Sequence, residues 1–263
     1  MEVNARMKLY LKYLSIHLKS IMEYKTSFFL TCIGQFLTSF NVFLGVYFMF
    51  RRFSKVQGFT YEEVLLCFSI VLMSFSLAEV FARGFDSFSG IVSQGEFDRI
   101  LVRPRNEILQ VLGSRMEFTR ISKVLQATVM FIYGFCHSEI TWTFPKILTV
   151  ILMLIGGTVV FSGLFLIYAT FCFFTIESLE FMNIFTDGAK EYGKYPINIY
   201  GERMLQFCTF IVPYALFQYY PLLYLLDRGK PYYPLLPLLA CLFIIPCFLF
   251  WKLGVRHYTS SGS

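Results

Sequence analysis

From Thr26 to Phe50 the chain runs twenty-five residues without an Asp, Glu, Lys or Arg. As a helix this run is about 37 Å long, enough to cross the roughly 30 Å hydrocarbon layer of a bilayer. Backbone inside lipid must satisfy its own hydrogen bonds, so only helices and closed barrels span it. Strand-like alternation is absent, which excludes the barrel. Composition points the same way: 56% of the 263 residues are hydrophobic and 15% charged, against about 25% charged in soluble domains. A soluble sphere of this size cannot hide so much apolar surface. A soluble enzyme, a disordered chain and a nucleic-acid-binding domain are excluded, leaving an integral membrane protein.

The expected fold is all-α, a single transmembrane domain over 1–263 with six transmembrane helices. The spans are expected at roughly 26–50, 64–82, 120–136, 145–175, 204–226 and 234–251. The third is short and charged at its start, and the fourth is long enough to cross at a tilt. The first run is no cleaved signal, because Arg51-Arg52 follows it rather than a small-residue cleavage site. In residues 1–25, Lys8, Lys12, Ser15 and Lys19 share one helix face, with Met7, Tyr10, Leu14, Leu18 and Ile21 opposite. That pattern predicts an interfacial amphipathic helix contacting membrane lipids. Counting Lys and Arg by side places seventeen of the 23 inside if the N-terminus is cytoplasmic. This asymmetry predicts a multi-pass protein with both termini cytoplasmic. It also accounts for the net charge of +6 without a nucleic-acid partner.

Catalytic chemistry is sparse. His17, His137 and His257 have no metal-ligand spacing, and the 7 Cys residues sit in or beside apolar runs as packing residues. No GxxxxGK[ST] loop exists to hold a nucleotide. No catalytic, metal or cofactor-binding residue is expected in this chain.

The least apolar part is the segment 83–119, expected to be cytoplasmic. Gly90 and Gly95 are expected to bracket a short element, Pro104 to end the next one, and a second short helix to start near Asn106. Phe97, Ile100 and Leu101 stand among Gln94, Glu96, Asp98, Arg99, Arg103 and Arg105. An apolar patch rimmed by charge marks a protein contact. Inside the spans, Thr31, Gly34, Gln35, Thr38, Asn41 and Gly45 share a face of the first. Gln206, Thr209, Pro213, Phe217 and Tyr220 are expected to share a face of the fifth. Such groups face protein or water rather than acyl chains, so helix packing and a transport path both stay open. Pro213, Pro221 and Pro246 are expected to kink spans five and six. Glu79 with Arg83, and Glu117 with Arg120 and Lys123, read as snorkelling local pairs near helix ends.

The segment Gly95-Glu96-Phe97-Asp98-Arg99-Ile100-Leu101-Val102-Arg103-Pro104 resembles the cytoplasmic signature of ATP-binding-cassette (ABC) type 2 export permeases, closest to a bacterial six-span subfamily. Lys194 to Tyr200, Ile211 to Ala215, Tyr219 to Pro221 and the tail Tyr258 to Ser263 fit as well; Asn106-Glu107 departs where small or apolar residues are expected. The resemblance implies a permease subunit of an ATP-driven exporter in a bacterial plasma membrane. It implies a second permease subunit, identical or homologous, and two copies of a cytosolic ABC ATPase that use ATP and Mg²⁺. Residues Gln94 to Arg105, Pro104 included, would form the coupling helix. Spans one and five would flank the dimer interface and path, making Thr31, Gln35, Thr38, Asn41, Gln206, Thr209, Pro213, Phe217 and Tyr220 candidates for either. A secondary transporter or channel not driven by ATP is the alternative. It would show a mid-span charge or repeated broken helices, and a membrane enzyme would show a His, Asp or Glu pair at membrane depth. The sequence offers neither clearly.

Overall fold

The protein's structure, a computed structural model, describes residues 2–53, 55–175 and 183–259, with side chains from residue 9 onward. The tail residues 260–263 and the side chains of Met7 and Lys8, which entered the sequence reading, lie outside the described residues. Among the described residues the regular structure is helical, apart from one isolated bridge between Val56 and Phe59.

Helix α1 (Glu2–Glu23) gives way at Tyr24 to α2 (Lys25–Arg52). Helix α3 (Tyr61–Asp86) begins in a capping box, in which the Thr60 hydroxyl accepts from the Glu63 N–H and the Glu63 carboxylate accepts from the Thr60 N–H. Three short helices follow: α4 (Phe88–Ser93), α5 (Glu96–Leu101) and α6 (Glu107–Ser114). A 3₁₀ turn at Phe118–Arg120 then leads into α7 (Ile121–His137), and α8 (Phe144–Phe171) returns.

Four helical stretches are long and apolar enough to cross a membrane: Lys25–Arg52, Tyr61–Ser93, Phe144–Phe171 and Tyr233–His257. The other two expected spans have a different form. Residues 120–136 belong to α7, only 17 residues long, and to the turn before it. Residues 204–226 are three helices, α10 (Glu202–Phe210), α11 (Tyr214–Phe217) and α12 (Tyr219–Leu225). The break before α11 lies at Pro213, which lacks an N–H for the ladder. Breaks also precede the other two prolines expected to kink. Pro221 lies in the first turn of α12, after the break at Gln218, and Pro246 in the first turn of α14 (Ile244–His257), after the break at Leu242 and Phe243; the ring and missing N–H of each act on the turn before it. Helix α13 (Leu236–Cys241) precedes α14.

The core is built around α3. Every residue from Glu63 to Leu72 on it is buried, the mark of a helix surrounded by protein on all sides. Helices α7 and α8 pack on it, α13 and α14 back α8, and α2 leans on α7. Helix α2 buries only Ser39 and Val46. Helix α1 packs Tyr10, Tyr13, Leu14 and Ile21 against Val80, Met116 and Phe118, and His17 Nε2 lies 2.8 Å from the Gly113 carbonyl. Leu18, expected on that inner face, is 43% exposed.

Before α10, α9 (Asp187–Tyr192) and the chain after it fold back along α3. Lys190 Nζ lies 5.1 Å from the Phe75 ring centroid. The Gly193 carbonyl takes a weak hydrogen bond from Cys67 Sγ at 3.9 Å, and the Tyr195 hydroxyl reaches Met49 Sδ at 3.4 Å. Cys67 and Met49 lie toward the ends of α3 and α2 remote from α5. The holding group is Gln218 between α11 and α12: its Nε2 lies 2.8 Å from the Gly193 carbonyl and 2.9 Å from that of Tyr195.

Helix α6 approaches α3 so closely that a Cβ on Gly84 would meet the Val111 carbonyl oxygen at 1.9 Å. Gly84→Ala is expected to push α6 off α3 and cost about 1–3 kcal/mol, seen as a lower melting temperature of the purified protein. Gly34→Ala on α2, where nothing lies within 4 Å, is the matched control and should leave that temperature unchanged or raise it.

Candidate functional site

Helices α4, α5 and α6 make a compact knob at one end of the bundle. Gly95, with φ +67°, turns the chain between α4 and α5 in the left-handed region that favours glycine. Gly90, expected to bracket the element, lies inside α4 instead. Helix α5 ends before Pro104 as expected, and Asn106 caps α6 by accepting from the Leu109 N–H at 3.2 Å. The buried Gln110 of α6 closes the knob. Its Nε2 donates to the carbonyls of Ile100 at 3.1 Å and Arg105 at 3.2 Å, holding the end of α5 and the proline turn together.

The knob's two faces are the reverse of what the sequence suggests for its largest side chain. Phe97 was expected to be an exposed anchor; it is 0% exposed. Its ring sits 5.3 Å from Phe88, 5.0 Å from Phe173, 5.0 Å from Tyr258 and 6.2 Å from Trp251, edge to face or tilted. Such aromatic pairs contribute beyond their buried area, so Phe97 ties α5 to the ends of α8 and α14. Ile100 also turns inward. The outward apolar residues are Leu101, 43% exposed, and Val102, 83% exposed. Around them Gln94, Glu96, Arg99, Arg103, Pro104 and Arg105 are exposed. Asp98 is half-buried and faces Tyr258. Burial first, and then the hydrogen bond and charge of Asp98, raise the Tyr258 hydroxyl above its ordinary pKa. A cavity of about 200 Å³ lies between Tyr13 of α1 and Glu96, Arg99 and Arg103 of the knob.

Behind the knob lies an ionic cluster that sequence spacing read as surface pairs. Glu79 is 2% exposed. Lys123 Nζ lies 3.2 Å from its carboxylate, Arg120 Nε 3.3 Å and Arg83 4.0 Å. Glu117 bridges the two arginines at 3.0 and 3.4 Å, and Asp86 pairs with Arg83. Arg120 also donates to Gln35 Oε1 at 2.8 Å, drawing in α2. The cluster therefore joins α2, α3, the 3₁₀ turn and α7. No spacing rule links residues 79, 83, 117, 120 and 123 across two elements, which is why their common partner was not legible.

The polar stripe of α2 lies on the outside of the subunit. Thr31, Thr38 and Asn41 are exposed, and Gln35 is half-buried against Arg120. Thr38 and Ser39 also edge a cavity of about 130 Å³ with Lys123, Lys190, Lys194 and Glu191. The fifth-span set does not share one helix face, because that span is broken. Gln206 is exposed on α10, and the hydroxyls of Thr209 and Tyr220 are 3.3 Å apart. Pro213 and Phe217 are buried, Phe217 in the core against Phe161 and Tyr214.

The architecture is that of a helical integral membrane protein with a polar knob at one end. A model of the ABC-2 family transporter proteins matches residues 36–262, from the middle of α2 through the final helix. The chain belongs to that family. No curated protein and no solved structure matches it.

Two substitutions separate inward from outward roles. Phe97→Ala removes a buried aromatic and should cost about 3–5 kcal/mol of stability, whereas Arg103→Glu should change it by about 0.5 kcal/mol or less. Glu79→Gln leaves Lys123 and Arg120 without their buried counter-charge and should cost about 3–5 kcal/mol. The double variant Glu79→Met with Lys123→Met should be milder than Glu79→Gln, as judged by thermal unfolding in detergent.

Proposed function

We propose that this chain is the permease subunit of an ATP-driven exporter, working with a separate cytosolic ATPase that docks on the knob of α4, α5 and α6. One observation carries the reading. In a transporter family member with no nucleotide-binding loop of its own, a preset ridge of Leu101 and Val102 stands exposed among Arg99, Arg103 and Arg105. Gly95, Pro104 and Gln110 fix the ridge, so little conformational entropy is lost when a groove receives it. Helix α1 borders the same face through Tyr13.

On this reading the knob, the N-terminus and the C-terminus are cytoplasmic, and the chain crosses the membrane six times. The short α7 and the broken run from α10 to α12 serve as the third and fifth crossings. A second permease subunit covers the outer face of α2, where Thr31, Thr38 and Asn41 would otherwise meet acyl chains. The cargo path runs along that face. Inward motion of the ridge reaches the spans through Phe97 and the aromatic residues packed on it.

Leu101→Asp combined with Val102→Asp should weaken association with the ATPase by about thirtyfold, the equivalent of one interface hot spot. Arg103→Glu alone should act less, and more strongly at low salt. Co-purification with the ATPase, and cargo-stimulated ATP turnover of the complex, check both. Unchanged yield and turnover in the combined variant would remove the knob as the docking site. The purified permease by itself should hydrolyse no nucleotide.

A further inference from the structure

Beside the middle of α3, the returning segment carries charge into the bundle. Lys190 and Glu191 of α9 and Lys194 just after it line the cavity of about 130 Å³, together with Lys123 of α7. Val42 of α2 and Phe68 and Leu72 of α3 supply its apolar wall. These three lie well inside α2 and α3, two of the stretches long and apolar enough to cross a membrane. Ionisable side chains at that depth are expensive to hold and mark ligand or ion paths.

The ammonium groups here differ from solvated surface charge. The side chains of Asp187 and Glu191, which pair with Lys190 and Lys194, are 55% and 49% exposed, whereas those of the lysines are 23% and 16% exposed. The carboxylate ends of these pairs thus face solvent more than the ammonium ends do, and exposed pairs three residues apart are weak. The Lys123 side chain is 7% exposed, and its partner Glu79 stands behind it, off the cavity wall. The wall therefore holds three cations against the single carboxylate of Glu191. Lys123 and Lys190 lie close enough for their charges to oppose one another, an opposition that grows as water is excluded. An anion seated between them relieves it.

We infer that this cavity seats the head group of an amphipathic anion, a phosphate or carboxylate on an apolar body, and that molecules of this class are the exporter's cargo. The cargo half of the inference rests on the permease reading. Lys190 and Lys194 donate to the head group, and Lys123 adds charge from the α7 side. The volume of about 130 Å³ is below the roughly 300–1,000 Å³ usual for a whole ligand, so the cavity takes the head group and the first carbons. Thr38 and Glu191 are exposed members of the lining, which places the mouth between α2 and α9. The apolar body extends from there along Ile33 and Leu37 of α2, both more than half exposed.

The binding test uses the purified permease in bilayer discs. Its probes are dodecyl phosphate, dodecanoate and dodecyltrimethylammonium, each with a photoreactive group near the head, with inorganic phosphate as competitor. After illumination, labelled peptides are mapped. Both anions should label residues 38–42 and 68–72 saturably, and the cation should not. Lys190→Gln with Lys194→Gln should raise the half-saturating anion concentration about tenfold or more. Lys190→Arg with Lys194→Arg keeps the charge and should hold it within about threefold. Glu191→Gln removes the carboxylate from the wall and should lower it about threefold, the opposite direction from general damage to the fold. Equal labelling by the cation, or anion labelling unaltered by the glutamine pair, would overturn the site. Displacement by inorganic phosphate as effective as by unlabelled dodecyl phosphate would overturn the amphipathic assignment. The cargo test uses the permease assembled with its ATPase, where either anion should raise ATP turnover and the glutamine pair should abolish the rise at matched complex yield. A complex whose turnover ignores the bound anion would overturn the cargo role alone. A chain that binds the anion yet assembles with no ATPase would overturn the permease reading, and the cargo role with it.

Discussion

A carboxylate with almost no contact with solvent organises the end of this bundle that carries the knob. Glu79 sits within 4.0 Å of Arg83, Arg120 and Lys123, three cations on α3, the turn before α7 and α7 itself. Burying one charge is expensive, and burying several is tolerable only when they neutralise and hydrogen-bond one another. The helices are therefore not free to choose their spacing. Helix α7 must bring Lys123 to α3, the turn must bring Arg120, and α2 must lie close enough for Gln35 to accept from Arg120. The hydrophobic packing of α3 supplies the bulk of the stabilisation, while this cluster fixes register along the bundle axis. An apolar face can slide; a shared carboxylate cannot.

The knob inherits that register. Its base is α6, pressed against α3 at Gly84, and its far side is stitched to α8 and α14 by Phe97, Phe173, Trp251 and Tyr258. It is thus attached at two places by different physics. One attachment is a steric close approach without tolerance for a methyl group. The other is a nest of rings meeting edge to face, an arrangement that can tilt by small amounts without opening a void.

Much of this was readable from the chain. The uncharged runs announced α2 and α8, Gly95 and Pro104 marked the ends of α5, and Asn106 marked the start of α6, because each of these signals is local. What was not legible depends on contacts distant in sequence. The turn of Phe97 inward is one case. An amphipathic six-residue helix shows that two faces differ, but both faces of α5 carry apolar residues, and the choice is made by Phe88 together with three rings more than seventy residues away. The return of 187–200 along α3 is another, since its own sequence is polar enough to pass for a loop and is held by Gln218. A glutamine in an otherwise apolar stretch was the visible hint.

The nest around Phe97 also gives the protein a built-in optical probe. Trp251 is one of only 2 tryptophans in the sequence and is wholly buried, its indole packed among Phe85, Phe88, Phe97 and Phe173. The other, Trp142, follows α7 at the opposite end and stacks on Phe135. Indole emission shifts with the polarity of its surroundings, so a Trp142→Phe background would leave a single emitter seated beneath the knob. Displacement of the knob would then be visible as a change in colour or lifetime, without a dye, in a region where an attached label would disturb the rings being watched.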